Sequence, residues 1–136
     1  MSGEQNLQTL LKSLSARLVD GVFVFVTLSD RQVPISINPR MMFMEDEGTT
    51  IICLKSEAEA AGLDYTYPCR MITLDVHSSL DAVGFMARIA SELAAQGMGV
   101  NPVAGFYHDH LFVPDGRQNE ALDVLRRIAI EADDID

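Results

Sequence analysis

Residues 70–114, RMITLDVHSSLDAVGFMARIASELAAQGMGVNPVAGFYHDHLFVP, carry the clearest secondary-structure pattern of the chain. Its first residues alternate between apolar and more polar side chains, which predicts a strand over 70–76 with one face on a core. A stripe of apolar residues at helical spacing follows and predicts an amphipathic helix. Ser78 and Asp81 stand at the spacing of a capping box before this helix, and Gly97 ends it.

The same stretch closes with two further strands joined by a tight turn. These predicted strands cover residues 100–107 and 110–113, with the turn at 108–109. A last helix then starts at Asp115, because Gln118 stands at a capping-box position and an apolar stripe follows. The C-terminal half is therefore predicted as strand, helix, strand, strand, helix.

The N-terminal half is predicted as one helix, four strands and a short helix. Leucines at helical spacing up to Leu18 indicate the first helix, and Ser56 is the expected cap of the short one. The predicted ranges are 7–18 for the first helix, 22–28, 33–37, 41–44 and 49–54 for the strands, and 56–61 for the short helix. Both halves suit a sheet with helices on one face, so the predicted fold class is α+β.

The composition limits the partners. The 136 residues carry a formal net charge of −10, which disfavours nucleic acid and anionic membrane surfaces. Part of the acidic excess lies in residues 131–136, which we interpret as a solvated, frayed tail. The two cysteines, Cys53 and Cys69, lie in or beside apolar strand-like runs, which indicates buried thiols in a reducing compartment and no disulfide framework.

The N-terminus lacks the continuous apolar region of a secretory signal, and no apolar run approaches the roughly 18 residues of a membrane span. We therefore expect a cytoplasmic protein.

Two motifs in the second half resemble the ACT domain family. They are DAVGFMARI, residues 81–89, which follows a strand and enters a helix, and GVN, residues 99–101, which opens the next strand. The sequence VHSSLDAVG, followed by GFYHDHLFVP, is similar to the corresponding sequences of small bacterial proteins with two ACT-like units. In these proteins a variant N-terminal unit opens with a run like GVFVFVTL, here residues 21–28.

The resemblance covers essentially the whole chain and implies a ferredoxin-like βαββαβ fold in two units. It divides the chain into a variant ACT-like unit, residues 1–68, and an ACT domain, residues 69–136. The predicted C-terminal half lacks one strand of that fold, so we expect the N-terminal segment to lend one.

The resemblance also implies a function. It implies a non-enzymatic regulatory or sensory module that binds an amino acid or a similar small metabolite, without a cofactor. Units of this family pair side by side, so the two units of one chain could pair with each other, or two chains could form a homodimer, which we favour. In the family the ligand lies where the loop after the first strand faces the second strand of a neighbouring unit, at the inter-unit seam. Carried over to this sequence, the implied ligand-binding residues are Ser79, Asp81, Val83, Gly84, Asn101 and Val103.

The chemistry of these residues fits an α-amino acid. A helix N-terminus attracts a carboxylate, and Gly84 allows a ligand to approach the backbone closely. Asp81 offers an acceptor for an ammonium group, while Asn101 can both donate and accept. The alternative is purely structural: Ser78 and Asp81 cap the helix, Gly84 permits tight packing and Asn101 is a turn residue. This loop also departs from the family, with Val83 where proline is common.

A second candidate site is the trio His108, Asp109 and His110. Two histidines separated by one residue share a face on a strand, so with His77 or an acid they could bind zinc or act as a general acid or base. The competing interpretation is an ordinary hairpin turn. A third hypothesis, a structural module that associates through its sheet edges without a ligand, also stays open.

Overall fold

The structure, a computed structural model, describes residues 3–134. In chain order the elements are α1 (Leu7–Lys12), β1 (Ala16–Leu18), β2 (Phe23–Leu28), β3 (Met41–Met44), β4 (Thr49–Leu54), α2 (Lys55–Ala60), β5 (Thr66–Leu74), α3 (Phe85–Ala95), β6 (Pro102–Ala104), β7 (Asp109–Pro114) and α4 (Gln118–Asp134). Among the helices in this described range, none has the length and apolar character needed to cross a membrane.

The chain forms two compact units. The smaller unit is Asp20–Cys69, and the larger unit combines Met1–Val19 with Arg70–Asp136, of which residues 3–134 are described. The larger unit therefore contains residues 3–19, which the division at 68/69 places with the N-terminal half.

The smaller unit is a sheet in the order β3-β4-β2, followed by the first residues of β5. The β2–β4 and β3–β4 pairs are antiparallel, and Met44 and Leu28 both face Thr49. Apolar side chains pack between one sheet face and α2, because every second residue of β2 and β4 points that way. Its core consists of Val24, Val26, Leu28, Ile37, Ile51, Cys53 and Ala58.

The larger unit is a sheet in the order β1-β5-β7-β6, covered by α1, α3 and α4. The β1 pairing is antiparallel, with Ala16 opposite Leu74 and Leu18 opposite Ile72. The N-terminal segment thus contributes a strand to this unit. The largest fully buried side chains of its core are Leu10, Ile72, Leu74, Ile89, Leu93, Leu111, Leu125 and Ile128. The α+β prediction, with antiparallel sheets and helices, is confirmed.

The predicted helix over 7–18 is wrong beyond Lys12. The helix ends there, with Ser13 as its C-cap, and β1 follows. The leucines satisfy both interpretations, because Leu14 and Leu18 also stand on one face of an extended segment, with Ser15 and Arg17 exposed on the other. The two serines and the backbone pairing with β5 decide for the strand.

The predicted strand over 33–37 does not form. Pro34 has no N–H to donate to a ladder, and its carbonyl oxygen instead accepts a turn hydrogen bond from the N–H of Ile37 at 3.0 Å. Ile37 is buried, whereas Ile35 is fully exposed.

The caps of two helices also differ from the prediction. Ser56 does not cap α2, since the helix begins one residue earlier, at Lys55. The carboxylate of Glu57 accepts hydrogen bonds from the N–H of Leu54 at 3.0 Å and from the N–H of Asn38 at 2.8 Å. Helix α4 begins at Gln118 rather than Asp115, because the Gln118 side chain accepts from the N–H of Gly116 at 2.7 Å.

The interpretation of residues 131–136 as a frayed tail is wrong for its first part. Residues up to Asp134 belong to α4, and Ala132 is buried in the core of the larger unit. Ile135 and Asp136 lie outside the described residues.

Replacement of Ile72 by alanine should lower the free energy of unfolding by about 2–5 kcal/mol, because the side chain is fully buried and leaves a cavity. Urea denaturation followed by circular dichroism measures this loss. The matched control is Ile35→Ala, which should change stability by less than about 0.5 kcal/mol. Equal effects of the two substitutions would contradict the assigned core.

Candidate functional site

The loop between β5 and α3, residues 75–84, is held by the N-terminal segment of the larger unit. The N–H of Glu4 donates to the carbonyl of His77 at 2.9 Å, and the N–H of Ser79 donates to the carbonyl of Glu4 at 2.9 Å. Gly3 lies against the same loop, where a Cβ atom would come within 2.7 Å of the Ser79 nitrogen. Two backbone hydrogen bonds and a close approach that only glycine allows therefore fix Ser78 and Ser79.

Helix α3 begins at Phe85 without a side-chain cap among the described residues. Its N-cap is Gly84, in the left-handed conformation with φ 91°. The predicted capping box is wrong: the Ser78 hydroxyl donates to Asp109, and the Ser79 hydroxyl accepts from the N–H of Asp81 at 3.1 Å. Within residues 3–134, no capping side chain therefore serves the first N–H groups of α3, which carry the positive end of the helix dipole.

A cavity of about 170 Å³ opens beside the start of α3. Its walls come from the loop, the first turn of α3, the end of β6 and the start of β7. The lining residues are Ser78, Ser79, Leu80, Ala82, Phe85, Met86, Ala104, Gly105 and Asp109. Ser78 and Asp109, which are 31 residues apart in sequence, both line this cavity.

Asp109 carries the only ionisable side chain among the described residues that line the cavity. The Ser78 hydroxyl donates to its Oδ2 at 3.0 Å, which holds the carboxylate in place. The cavity therefore carries a negative side chain on one wall and an uncapped helix N-terminus on another. A zwitterion presents the complementary pair of charges.

The six residues implied by the family resemblance do not all line this cavity. Ser79 lines it, and Gly84 sets the direction of the first turn of α3. The others do not line it. Asp81 and Val83 are exposed on the loop, Asn101 is exposed with φ 42°, and Val103 is half-buried on β6 opposite His110.

Sequence reasoning missed Asp109 and Ser78 as members of this cavity. Ser78 was expected as a helix cap, and Asp109 as a turn or metal-site residue. The motif HDH did single out Asp109, but nothing in the sequence indicates that Ser78 contacts it.

The turn between β6 and β7 lies two residues earlier than predicted. The N–H of Gly105 donates to the carbonyl of His108 at 2.9 Å, so Phe106 and Tyr107 form the turn and β7 begins at Asp109. Both aromatic rings are exposed, and the Tyr107 ring lies 5.3 Å from that of His77 in the loop.

The HDH trio does not assemble a metal site in the described part of the chain. The His108 and His110 rings are 6.5 Å apart, and His110 Nδ1 lies 3.1 Å from Thr73 Oγ1. Within residues 3–134 no group of three or more His, Cys, Asp or Glu side chains is placed to hold a metal ion.

The comparisons with known proteins agree with this architecture. Two family models, both described as ACT domain, match the sequence, one over residues 2–70 and the other over residues 66–127. The chain belongs to the ACT domain family, whose members are regulatory domains. The resemblance predicted from the sequence is thereby confirmed.

Solved structures give the same result. A Vibrio cholerae protein of unknown function, described as a possible transport protein, is 39% identical with a TM-score of 0.80, and the match covers 90% of this chain and 95% of that one. A protein from Agrobacterium tumefaciens is 19% identical with a TM-score of 0.73, over 85% and 89%. The ligand-free regulatory subunit of aspartate kinase from Thermus thermophilus is 10% identical with a TM-score of 0.65, over 87% and 97%. The last two share the fold. Among curated proteins, no sequence matches this chain significantly.

His110 predicts a pH dependence of stability. Burial lowers the pKa of His110 and the neighbouring His108 lowers it further, against an opposing effect of Asp109. Because the folded-state pKa lies below that of the unfolded chain, the unfolded chain takes up the proton first as the pH falls. Stability should therefore be lost as the pH drops below about 6.5, the ordinary pKa of histidine.

Urea denaturation at pH 7.5 and pH 5.5 measures this dependence. His110→Gln, which keeps a polar group near Thr73, should reduce the loss between the two pH values. An identical loss in the wild type and the variant would contradict the assignment.

Proposed function

We propose that the chain is a non-enzymatic regulatory or sensory module that binds an amino acid or a similar small metabolite in the cavity beside α3. We also propose that residues 1–68 and 69–136 are its two ACT units, that it needs no cofactor, and that it works as a homodimer. Cys53 and Cys69 are both buried and form no disulfide with each other, which supports a reducing, cytoplasmic location.

The observation that carries the proposal is the pair of opposite charges in the cavity. The uncapped N–H groups of α3 suit a ligand carboxylate, and the Asp109 carboxylate suits a ligand ammonium group. A volume of about 170 Å³ lies below the roughly 300 Å³ at which drug-sized pockets begin, so a small metabolite fits better than a large one.

The family-derived residues have distinct places in this proposal. Ser79 contacts the ligand from the cavity wall, and Gly84 orients the first N–H groups of α3 toward the carboxylate. The other four do not line the cavity: Asp81 and Val83 lie on the loop, Asn101 directly precedes β6, and Val103 lies within β6. They are proposed to contact ligand atoms that extend beyond the cavity.

A thermal-unfolding screen with the twenty amino acids tests the proposal. A binder present at about 100 times its dissociation constant should stabilise the protein by about 2.7 kcal/mol. Asp109→Asn should weaken binding about tenfold or more, because it removes the charge while keeping an acceptor for Ser78. The control is Asp115→Asn, the same change at an exposed position, which should leave binding unchanged.

Derivatives of the bound amino acid separate the two halves of the site. Both the amide, which lacks the carboxylate, and the N-acetyl form, which lacks the ammonium group, should bind more weakly. A screen without any stabilising amino acid would contradict the ligand class and favour a structural association module. Equal affinities of Asp109→Asn and the wild type would contradict the site.

A further inference from the structure

The cavity beside α3 has a mostly apolar lining. Five of its nine described lining residues carry an apolar side chain: Leu80, Ala82, Phe85, Met86 and Ala104. Gly105 contributes backbone, and the remaining three, Ser78, Ser79 and Asp109, have polar side chains. Small-molecule sites typically combine an apolar lining with a few polar groups that fix the orientation of the ligand. The ligand of this cavity should therefore have an apolar part of its own.

The polar groups of the cavity are already assigned to the two charged groups that every α-amino acid carries. Asp109 suits the ammonium group, and the uncapped start of α3 suits the carboxylate. Both serine hydroxyls bond within the protein, since Ser78 donates to Asp109 at 3.0 Å and Ser79 accepts from the N–H of Asp81 at 3.1 Å. Among the described lining residues, no second ionisable side chain is left to pair with a charge on the side chain of the ligand.

A charged ligand side chain would enter this cavity without a counter-charge. Removing an ion from water without giving it a partner costs more free energy than its apolar contacts return. An apolar side chain carries no such cost, because it only exchanges water for the apolar wall. Each methylene group that it buries should raise the affinity about fourfold.

We propose that the cavity selects an α-amino acid with an uncharged, apolar side chain, which packs against Leu80, Phe85 and Met86. The inference rests on the proposed function and specifies the substrate class of that same site. The ammonium and carboxylate groups hold the ligand at the polar end of the site, and its side chain fills the apolar remainder of a volume of about 170 Å³.

Met86 is the lining residue that determines this specificity. It lies in the first turn of α3, beside the N–H groups proposed for the ligand carboxylate, and it is half-buried. Its thioether side chain is flexible, so it adapts to the shape of an apolar partner. Phe85 is 3% exposed and belongs to the core, whereas Leu80 is 66% exposed on the loop. Met86 can therefore be changed with less damage to the core than Phe85, and it contacts the ligand more closely than Leu80.

Three amino acids with the same six-carbon skeleton test the preference by isothermal titration calorimetry of the wild-type full chain. Norleucine ends in a methyl group, lysine carries an ammonium group at that carbon, and in 2-aminoadipate that carbon is a carboxylate. Norleucine should bind at least about tenfold more tightly than either charged analogue, because its side chain leaves no unpaired charge in the cavity.

A series of straight-chain amino acids tests the apolar wall. Alanine, 2-aminobutyrate, norvaline and norleucine differ by one methylene group at each step. The affinity should rise about fourfold at each step until the cavity is filled.

Met86→Lys should reverse the order of the six-carbon ligands. Norleucine should bind at least about tenfold more weakly than to the wild type, and 2-aminoadipate should then bind more tightly than norleucine, since the introduced ammonium group pairs with its side-chain carboxylate. Ala87→Lys is the matched control, because it adds the same charge at the next residue of α3, which is exposed and does not line the cavity. It should leave the order unchanged. Met86→Leu, an apolar exchange of similar volume, should keep the norleucine affinity within about threefold.

Circular dichroism verifies the folding of each variant, and the two ligand series on the wild type decide the matter should Met86→Lys not fold. A charged analogue that binds the wild type as tightly as norleucine, and loses this binding in Asp109→Asn, would overturn the apolar preference while the ligand site stands. An affinity that does not rise from alanine to norleucine would overturn it too, as would an order that Met86→Lys leaves unchanged. If no amino acid binds at all, the proposed function fails and this inference fails with it, so the two failures are distinguishable.

Discussion

Backbone hydrogen bonds attach residues 3–19 to the sheet of the larger unit, and the candidate site depends on them. The N–H of Asp75 donates to the carbonyl of Ser15 at 2.7 Å, and the N–H of Val19 donates to that of Met71 at 2.9 Å. Further along, Glu4 exchanges hydrogen bonds with both sides of Ser78. The segment thus supplies a strand, buries Leu10 and Leu11 in the core, and fixes the loop that forms one wall of the cavity.

The electrostatics of the cavity are local and differ from those of the whole chain. A net charge of −10 would repel a free carboxylate at long range, but salt screens charges over about 8 Å at physiological ionic strength. Within the cavity, the partial positive charge at the start of α3 acts at hydrogen-bond distance. Gly84 allows this, because its positive φ turns the chain into the helix without a capping side chain.

Helices and strands could be predicted from the sequence where the spacing of their apolar residues fits only one of the two structures. The strands β2, β3 and β4 agree with the predictions because their apolar runs are bounded by turn residues, and α3 and α4 agree in their apolar stripes. The region of Leu14 and Leu18 could not be predicted, since leucines at this spacing fit a helix and a strand alike. Pairing with β5, a contact between distant parts of the chain, decides it.

The candidate site was predictable only where it is formed by residues close to each other in sequence. Local motifs indicated the loop, Ser79 and Gly84, all close in sequence to the start of α3. The contact between Ser78 and Asp109 spans 31 residues and depends on where the β6–β7 turn falls. That turn is at Phe106 and Tyr107, where a Cβ atom on Gly105 would come within 2.8 Å of the His108 carbonyl oxygen. A close approach of this kind leaves no local signature.

The most direct test of the ligand site is an NMR titration of the ¹⁵N-labelled full chain with the amino acid that binds. We expect the largest shifts at the amide groups of Phe85, Met86 and Gly105, which line the cavity. Shifts confined to residues 20–69, or a titration in which these three amides do not move, would contradict the ligand site.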